Sequence, residues 1–416
     1  MNLYIDPGTG SMLFTILIGL LGVLRYICKS WLVKLRFLFS GGNKGETNVD
    51  RLPLVIFTDD KRYWSIFEPI CRELSQRSFP VTYLTMSPDD NALKAELPGL
   101  QAEFIGDDNK AFAKVNFLNA DIVFSTTPGL DVFQWKRSPE VSWYVHIFHA
   151  AGDITLYTMF GIDYYDALLV SGAYHEVQAR KLEALRGLPG KEVVHVGIPF
   201  MDEMLKRVRQ NPVTTTGERT VLLAPSWGES AILNRFGGKI IEVLLATGYH
   251  IIVRPHPQSF KSEAALMERL QQAYPESAQL EWNRDTDNFN VLQRSDILIS
   301  DFSSVMFDFA LVFDKPIIYT DTQFDAAPYD AWWLDEELWT FKILPQLGQK
   351  LDATNMQQLK QLIDSCIEDN RYAEGRAQAV REAWEYREEG AKRAADYLVA
   401  KYEELQRANA SKAEEV

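Results

Sequence analysis

The turn Ser300-Asp301-Phe302-Ser303-Ser304 places three hydroxyls and a carboxylate between an apolar run, Ile297-Leu298-Ile299, and an apolar stretch that starts at Val305. That pattern predicts strand, polar turn and helix. The first amides of such a helix lack partners inside it, and the helix dipole favours negative charge there, so Ser303, Ser304 and the amides after Asp301 suit a phosphate. Arg254-Pro255-His256-Pro257 ends a second apolar run. Its prolines keep the backbone out of a helix and set the direction of His256. An arginine beside an imidazole at a strand exit can neutralise a diphosphate. A third run ends in His146-Ile147-Phe148-His149-Ala150-Ala151-Gly152-Asp153. His146 and His149 are an odd number of residues apart, so a strand sends them to opposite faces. His149 is the candidate to take a proton from a hydroxyl nucleophile. The small residues after it, Gly152 included, let backbone approach a ligand closely.

Ala224-Pro225-Ser226-Trp227-Gly228-Glu229 follows a further apolar run. Ser226 offers a phosphate donor and Trp227 a cap for a base. Each assignment has a plain alternative: a rigid strand exit at His256, a satisfied structural histidine at His149, an ordinary turn at Ser226. His146, His175, His195 and His250 are read as structural, as is the turn Val196-Gly197-Ile198-Pro199-Phe200-Met201-Asp202.

Other chemistries are excluded or unsupported. There is no Walker loop, no His-Glu-x-x-His and no Gly-x-Ser-x-Gly. Gly8-Thr9-Gly10 precedes an uncharged run, so it is no dinucleotide fingerprint. The three cysteines, Cys28, Cys71 and Cys366, are too far apart for a metal or disulfide framework. No carboxylate cage is evident, and the residues leave the help of a divalent cation open. A net charge of −14 argues against nucleic acid as partner.

Positioning these residues calls for an α/β fold. At 416 residues, 46% hydrophobic, the chain is long enough for two domains. Strands are predicted at 54–57, 81–85, 121–125, 142–148, 167–171 and 193–196, with helices at 64–76 and 174–185. A polar, proline-containing stretch at 207–218 marks the boundary. Strands at 221–224, 250–254, 296–300 and 316–319 follow, with helices around 232–246, 263–273 and 305–312. This is the rhythm of doubly wound sheets, whose ligands bind at the carboxyl ends of strands. The predicted domains are 50–210 and 215–375. Helices and a tail follow at 376–416, the charged, alanine-rich part from 373 to 405 being expected on the surface.

Residues 12–24 carry no charge, and Lys29, Lys34, Arg36 and Lys44 follow among Trp31, Phe37 and Phe39. A span needs about 20 apolar residues, so residues 11–28 are just short. Positive charge comes after the apolar run, unlike a signal peptide. A buried core helix would explain the uncharged run but not the basic, aromatic sequel, so residues 1–45 are expected to attach the protein to a membrane, spanning it or lying in its plane, with the body facing the cytoplasm.

The order His149-Ala-Ala-Gly, Val-Gly-Ile-Pro-x-x-Asp at 196–202, Ala-Pro-Ser-Trp at 224–227, Arg-Pro-His-Pro at 254–257 and Ser-Asp-Phe-Ser-Ser-Val-Met-Phe-Asp-Phe-Ala at 300–310 resembles the CDP-glycerol glycerophosphotransferases of teichoic-acid synthesis. The resemblance implies two Rossmann-like domains in the GT-B arrangement. It also implies transfer of glycerol phosphate from CDP-glycerol to a hydroxyl of a lipid-linked or polymeric acceptor at a membrane. It gives His149 the role of general base, and His256 with the Ser303/Ser304 turn the donor phosphates. Where the family commonly has His-Gly-Thr-Pro, this chain has His149-Ala150-Ala151-Gly152. A GT-B glycosyltransferase using a nucleotide sugar and a non-catalytic nucleotide-binding assembly protein are the rival readings.

Overall fold

A computed structural model describes residues 51–212, 217–285, 287–301, 303–320, 326–369 and 371–414. The membrane-attachment segment expected at 1–45 lies outside the described residues. Among those described, no helix is long and apolar enough to cross a membrane.

Residues 51–416 form one compact unit built on two parallel sheets. The first contains β1 (Leu52–Thr58), β2 (Val81–Thr85), β3 (Leu100–Phe104), β4 (Ala120–Ser125), β5 (Val141–Ile147), β6 (Ala167–Val170) and β7 (Glu192–His195). Its order is β3-β2-β1-β4-β5-β6-β7. The second contains β8 (Thr220–Leu223), β9 (His250–Val253), β10 (Leu280–Trp282), β11 (Ile297–Ser300), β12 (Ile317–Thr320) and β13 (Gly348–Leu351), in the order β10-β9-β8-β11-β12-β13. Every residue of β4, β6 and β11 is buried. That is why these strands are unbroken apolar runs rather than alternating ones. Val123 pairs with Val55 on one side and Tyr144 on the other. The strand order reverses between β1 and β4, and again between β8 and β11. These are the two switch points at which such sheets open a crevice.

The helix Trp64–Gln76 turns Phe67, Ile70, Cys71 and Leu74 into the first core at helical spacing. Three sequence expectations change. The run expected as one helix around 232–246 is two, Ile232–Phe236 and Gly238–Leu245, because Gly237 adopts φ 56°. The helix at 305–312 begins as α over Val305–Phe307 and continues as π over Asp308–Val312. Strands β3, β10 and β13 were not expected, since edge strands need no apolar run.

The C-terminal helix Gly390–Glu414 is also more than surface. It returns to the first sheet, where Ala394, Ala395 and Leu398 are fully buried in the same cluster as Phe67 and Leu74. Alanine explains both aspects of the sequence: it dilutes the hydrophobic signal, and it allows close helix packing. Asp202 holds the crossing, its carboxylate accepting from Trp384 Nε1 at 2.8 Å, Glu388 N at 2.7 Å and Gly390 N at 3.0 Å. Gly197, at φ 86°, leaves no room for a side chain: a Cβ there would lie 2.3 Å from Glu385 O.

Candidate active site

The exits of β1, β4 and β5 build one half of the site. His149 follows β5 and stands beside Thr126, which follows β4. Thr126 Oγ1 donates to Ile147 O at 2.8 Å and lies 2.7 Å from His149 Nδ1. A hydroxyl has one proton, so the second contact has Nδ1 donating. This assigns the ring proton to Nδ1 and leaves the lone pair on Nε2. Burial, with a smaller contribution from the Arg62 charge, pushes His149 down to about 4. The ring is therefore neutral at physiological pH. Tyr63 packs 5.2 Å from it and Tyr157 6.4 Å, centroid to centroid. Asp59, at the exit of β1, accepts from Thr127 Oγ1 at 2.7 Å, and burial raises its pKa. Asp59, Arg62, Tyr63 and Thr126 are not singled out by the sequence reading. Their signal was there, because Asp59 and Asp60 directly follow the apolar strand β1.

His146 lies within β5, and its ring, like that of His149, meets Tyr157. It is fully buried among Phe148, Tyr157 and Tyr165, and burial pushes its pKa well down.

The second half comes from the exits of β8, β9 and β11. His256 follows β9, and its Nδ1 accepts from Gln258 N at 3.1 Å. A neutral ring then carries its proton on Nε2, the opposite tautomer to His149. Burial and then Arg62 lower its pKa. The Arg62 charge thus acts on both histidines, one in each domain. Arg254, also half-buried, donates Nη1 to Asn283 Oδ1 at 2.5 Å. Trp227 is exposed, its ring 6.5 Å from that of His256.

Ser226 and Asp301 are brought together with each other. Asp301, 1% exposed, accepts from Ser226 Oγ at 2.7 Å, Ser226 N at 2.9 Å and Ile232 N at 3.1 Å. These bonds fix the loop that carries Trp227, and Ser226 Oγ spends its proton on Asp301. Ser303 is half-buried and Ser304 exposed, at the turn into the helix. Their carbonyls accept from Met306 N and Phe307 N.

Gly152 lies at the meeting of the two domains. A Cβ there would face Thr340 Oγ1 at 3.7 Å and Phe307 Cε2 at 3.9 Å, both from the second domain. Its carbonyl accepts from His175 Nε2 at 2.8 Å. The two Cβ distances are ordinary van der Waals contact, and Ala151 lies in one apolar cluster with Phe307 and Trp384. Asp153 completes the seam by accepting from Trp339 N at 2.9 Å and Thr340 N at 2.7 Å, at the start of the helix Trp339–Leu347. Among the described residues, no group of three or more His, Cys, Asp or Glu is placed to hold a metal ion.

Comparison with solved structures shows the fold. The wall teichoic acid polymerase TagF, as a variant soaked with CDPG, aligns at a TM-score of 0.56 and 16% identity, covering 92% of this chain and 97% of that one. The UDP-GlcNAc 2-epimerase of Neisseria meningitidis, bound to UDP-GlcNAc, aligns at 0.54 and 12%, covering 83% and 98%. No curated protein sequence matches. The two sheets are in the GT-B arrangement. A family described as CDP-Glycerol:Poly(glycerophosphate) glycerophosphotransferase matches residues 162–400, a range that takes in Ser226, Arg254, His256 and the 301–304 turn and begins after His149. Matched over more than half of its 416 residues, the chain belongs to this family of GT-B-fold transferases.

Proposed function

We propose that the protein transfers glycerol phosphate, or a related alditol phosphate, from a CDP-alcohol to a hydroxyl of a membrane-associated, lipid-linked or polymeric acceptor in cell-envelope synthesis. The observation that carries this reading is that His149 and His256 stand at strand exits of the two domains, each with its Nδ1 engaged by the protein, which leaves Nε2 of each for substrate. His149 has a lone pair on Nε2 beside Tyr63, and His256 has a proton on Nε2 beside Arg254 and Trp227.

In this reading the acceptor oxygen attacks the phosphorus that bears glycerol. Its proton passes to His149 Nε2. The bond from that phosphorus to the bridging oxygen breaks, and the electron pair leaves with CMP. Charge growing on the leaving phosphate is met by His256 Nε2–H, the Arg254 guanidinium and the Ser303 and Ser304 hydroxyls. Trp227 stacks on the base, held by the Ser226–Asp301 pair. Positioning and charge neutralisation do most of the work, as phosphoryl transfer requires. The acceptor would be reached from the cytoplasmic face of the membrane.

The test is CMP release from CDP-glycerol by detergent-solubilised protein, with and without a lipid-linked acceptor fraction. Acceptor-dependent release that is lost in His149→Ala is expected. In His256→Ala the donor KM should rise about 10-fold to 100-fold, the worth of a hydrogen bond to a charged group. A nucleoside diphosphate product from a nucleotide sugar would instead establish a glycosyltransferase. Donor binding without turnover, unchanged in His149→Ala, would establish a binding protein.

A further inference from the structure

His195 ends β7, and both of its ring nitrogens meet carboxylates. Nδ1 lies 2.7 Å from Glu385 Oε2, and Nε2 lies 2.9 Å from Glu176 Oε2. An ionised carboxylate only accepts. Both hydrogen bonds therefore exist together only when both ring nitrogens carry protons, which is the imidazolium.

The two carboxylates belong to different parts of the fold. Glu176 lies in the first turn of the helix Ala173–Arg186. Glu385 follows the helix Arg371–Ala383 and precedes the helix Gly390–Glu414. The earlier of these helices packs on the second domain, with Tyr372 in its core and Arg376 Nε donating to Asp314 Oδ1 at 2.6 Å. The later one packs in the first core. Residues 384–389 are thus a crossover between the domains. Glu385 also docks the crossover through its backbone, with its N donating to Ser171 O at 2.9 Å, and its Oε1 accepts from Ala173 N at 3.0 Å. A Cβ on Gly172 would lie 2.2 Å from Glu382 O, so that approach needs glycine. The helix that carries Glu176 in turn holds the loop after His149. Tyr174 Oη donates to Ala151 O at 2.5 Å, and His175 Nε2 donates to Gly152 O at 2.8 Å.

The charges around His195 favour its protonated form. Burial lowers its pKa, but the bonds to Glu385 and Glu176 more than reverse this, and the value stands above that of a free histidine. Arg180 pairs with the far oxygen of Glu176 at 3.5 Å. His175 stays neutral, held at about 3 by burial and then by the His195 charge. Glu192, at the other end of β7, pairs with Lys401. Asp202, which holds the far end of the crossover, is raised to about 6 by burial.

We propose that His195 is a pH-sensitive latch, which as an imidazolium clasps the domain crossover to the helix Ala173–Arg186 and on losing its proton lets the crossover go. The folded pKa lies above the unfolded one, so the clasp is fully present below pH 6.5 and is lost as pH rises through the folded value. It does not depend on which donor the site takes.

The test uses the detergent-solubilised full-length chain. Hydrogen exchange, corrected for intrinsic rates, is measured at pH 6.5 and 9.0 in wild type, Glu385→Gln and His195→Gln. Amides at 384–390 should exchange about 10-fold faster at pH 9.0 in wild type, the worth of a hydrogen bond to a charged group. In both variants they should be fast at both pH values. The helix Trp64–Gln76 is the control and should not change. Wild-type exchange that is the same at both pH values overturns the proposal. So does a pH effect that persists in the variants, or one that the control helix shares, since the first points to another group and the second to global unfolding. A second measurement needs no variant to fold. In protein with 13C-labelled histidine, the resonance that responds at His195 should titrate above 6.5, and a titration at or below 6.5 also overturns the latch.

Discussion

In the proposed reaction, burial sets the strength of His149 as a base. Held at about 4, its imidazole is a weak base, but nearly every molecule has it in the accepting form at pH 7. The acid limb of kcat/KM is therefore expected well below the 6.5 of a free histidine, since protonation removes the accepting nitrogen only near pH 4. A limb at 6.5 would mean that another group is the base. His149→Ala should lower kcat by roughly 100-fold to 10,000-fold, the usual contribution of a positioned base, with donor affinity retained. His175 shows the same burial without the chemistry. Its folded pKa is about 3, below the unfolded value, so the unfolded state binds more protons as pH falls below 6.5 and stability is lost. In urea titrations at pH 7.5 and 5.5, His175→Gln should lose about 1 kcal/mol less than the wild type between the two. Equal losses would show that His175 carries none of this pH dependence.

Single contacts of whole elements join the two domains. The helix Trp339–Leu347 starts on the carboxylate of Asp153, which belongs to the other domain, while Trp339 stacks on Tyr174 at 4.8 Å. Asp153→Ala should cost about 1–2 kcal/mol in a denaturant melt, as the loss of a helix cap does. It should also slow turnover, because His149 stands only four residues away. Full stability and full activity together would remove Asp153 from this role. Most strands could be located from the sequence to within a residue or two, because buried parallel strands are apolar from end to end. The break at Gly237 comes from a positive φ and the π turn after Phe307 from the buried packing around it, and apolar spacing alone contains neither.

Across the whole molecule, the last described helix packs back on the first domain. Leu398, with no exposed surface, packs on the helix Trp64–Gln76 through the same core that supports β1 and β4. Leu398→Ala should destabilise the first domain by about 2–4 kcal/mol. If the domains unfold as one unit, a single transition shifts in calorimetry; if they do not, the earlier of two transitions moves alone. Either result reports the coupling, and an unshifted trace would show that the helix contributes nothing to the first core.

The sequence by itself carried the α/β class, the strand exits at His149, Ser226, Arg254, His256 and Asp301, and the family. Each of these is written in short stretches of chain: apolar runs, prolines and the polar residues that end them. Tertiary structure alone decided what those residues touch. It turned Ser226 and Asp301 toward each other, set Gly152 against Thr340 and Phe307 of the other domain, and brought Arg62, Tyr63 and Thr126 beside His149. Pairings across tens to hundreds of residues leave no local periodicity, and the side of a turn on which a side chain falls is set by the neighbour it meets.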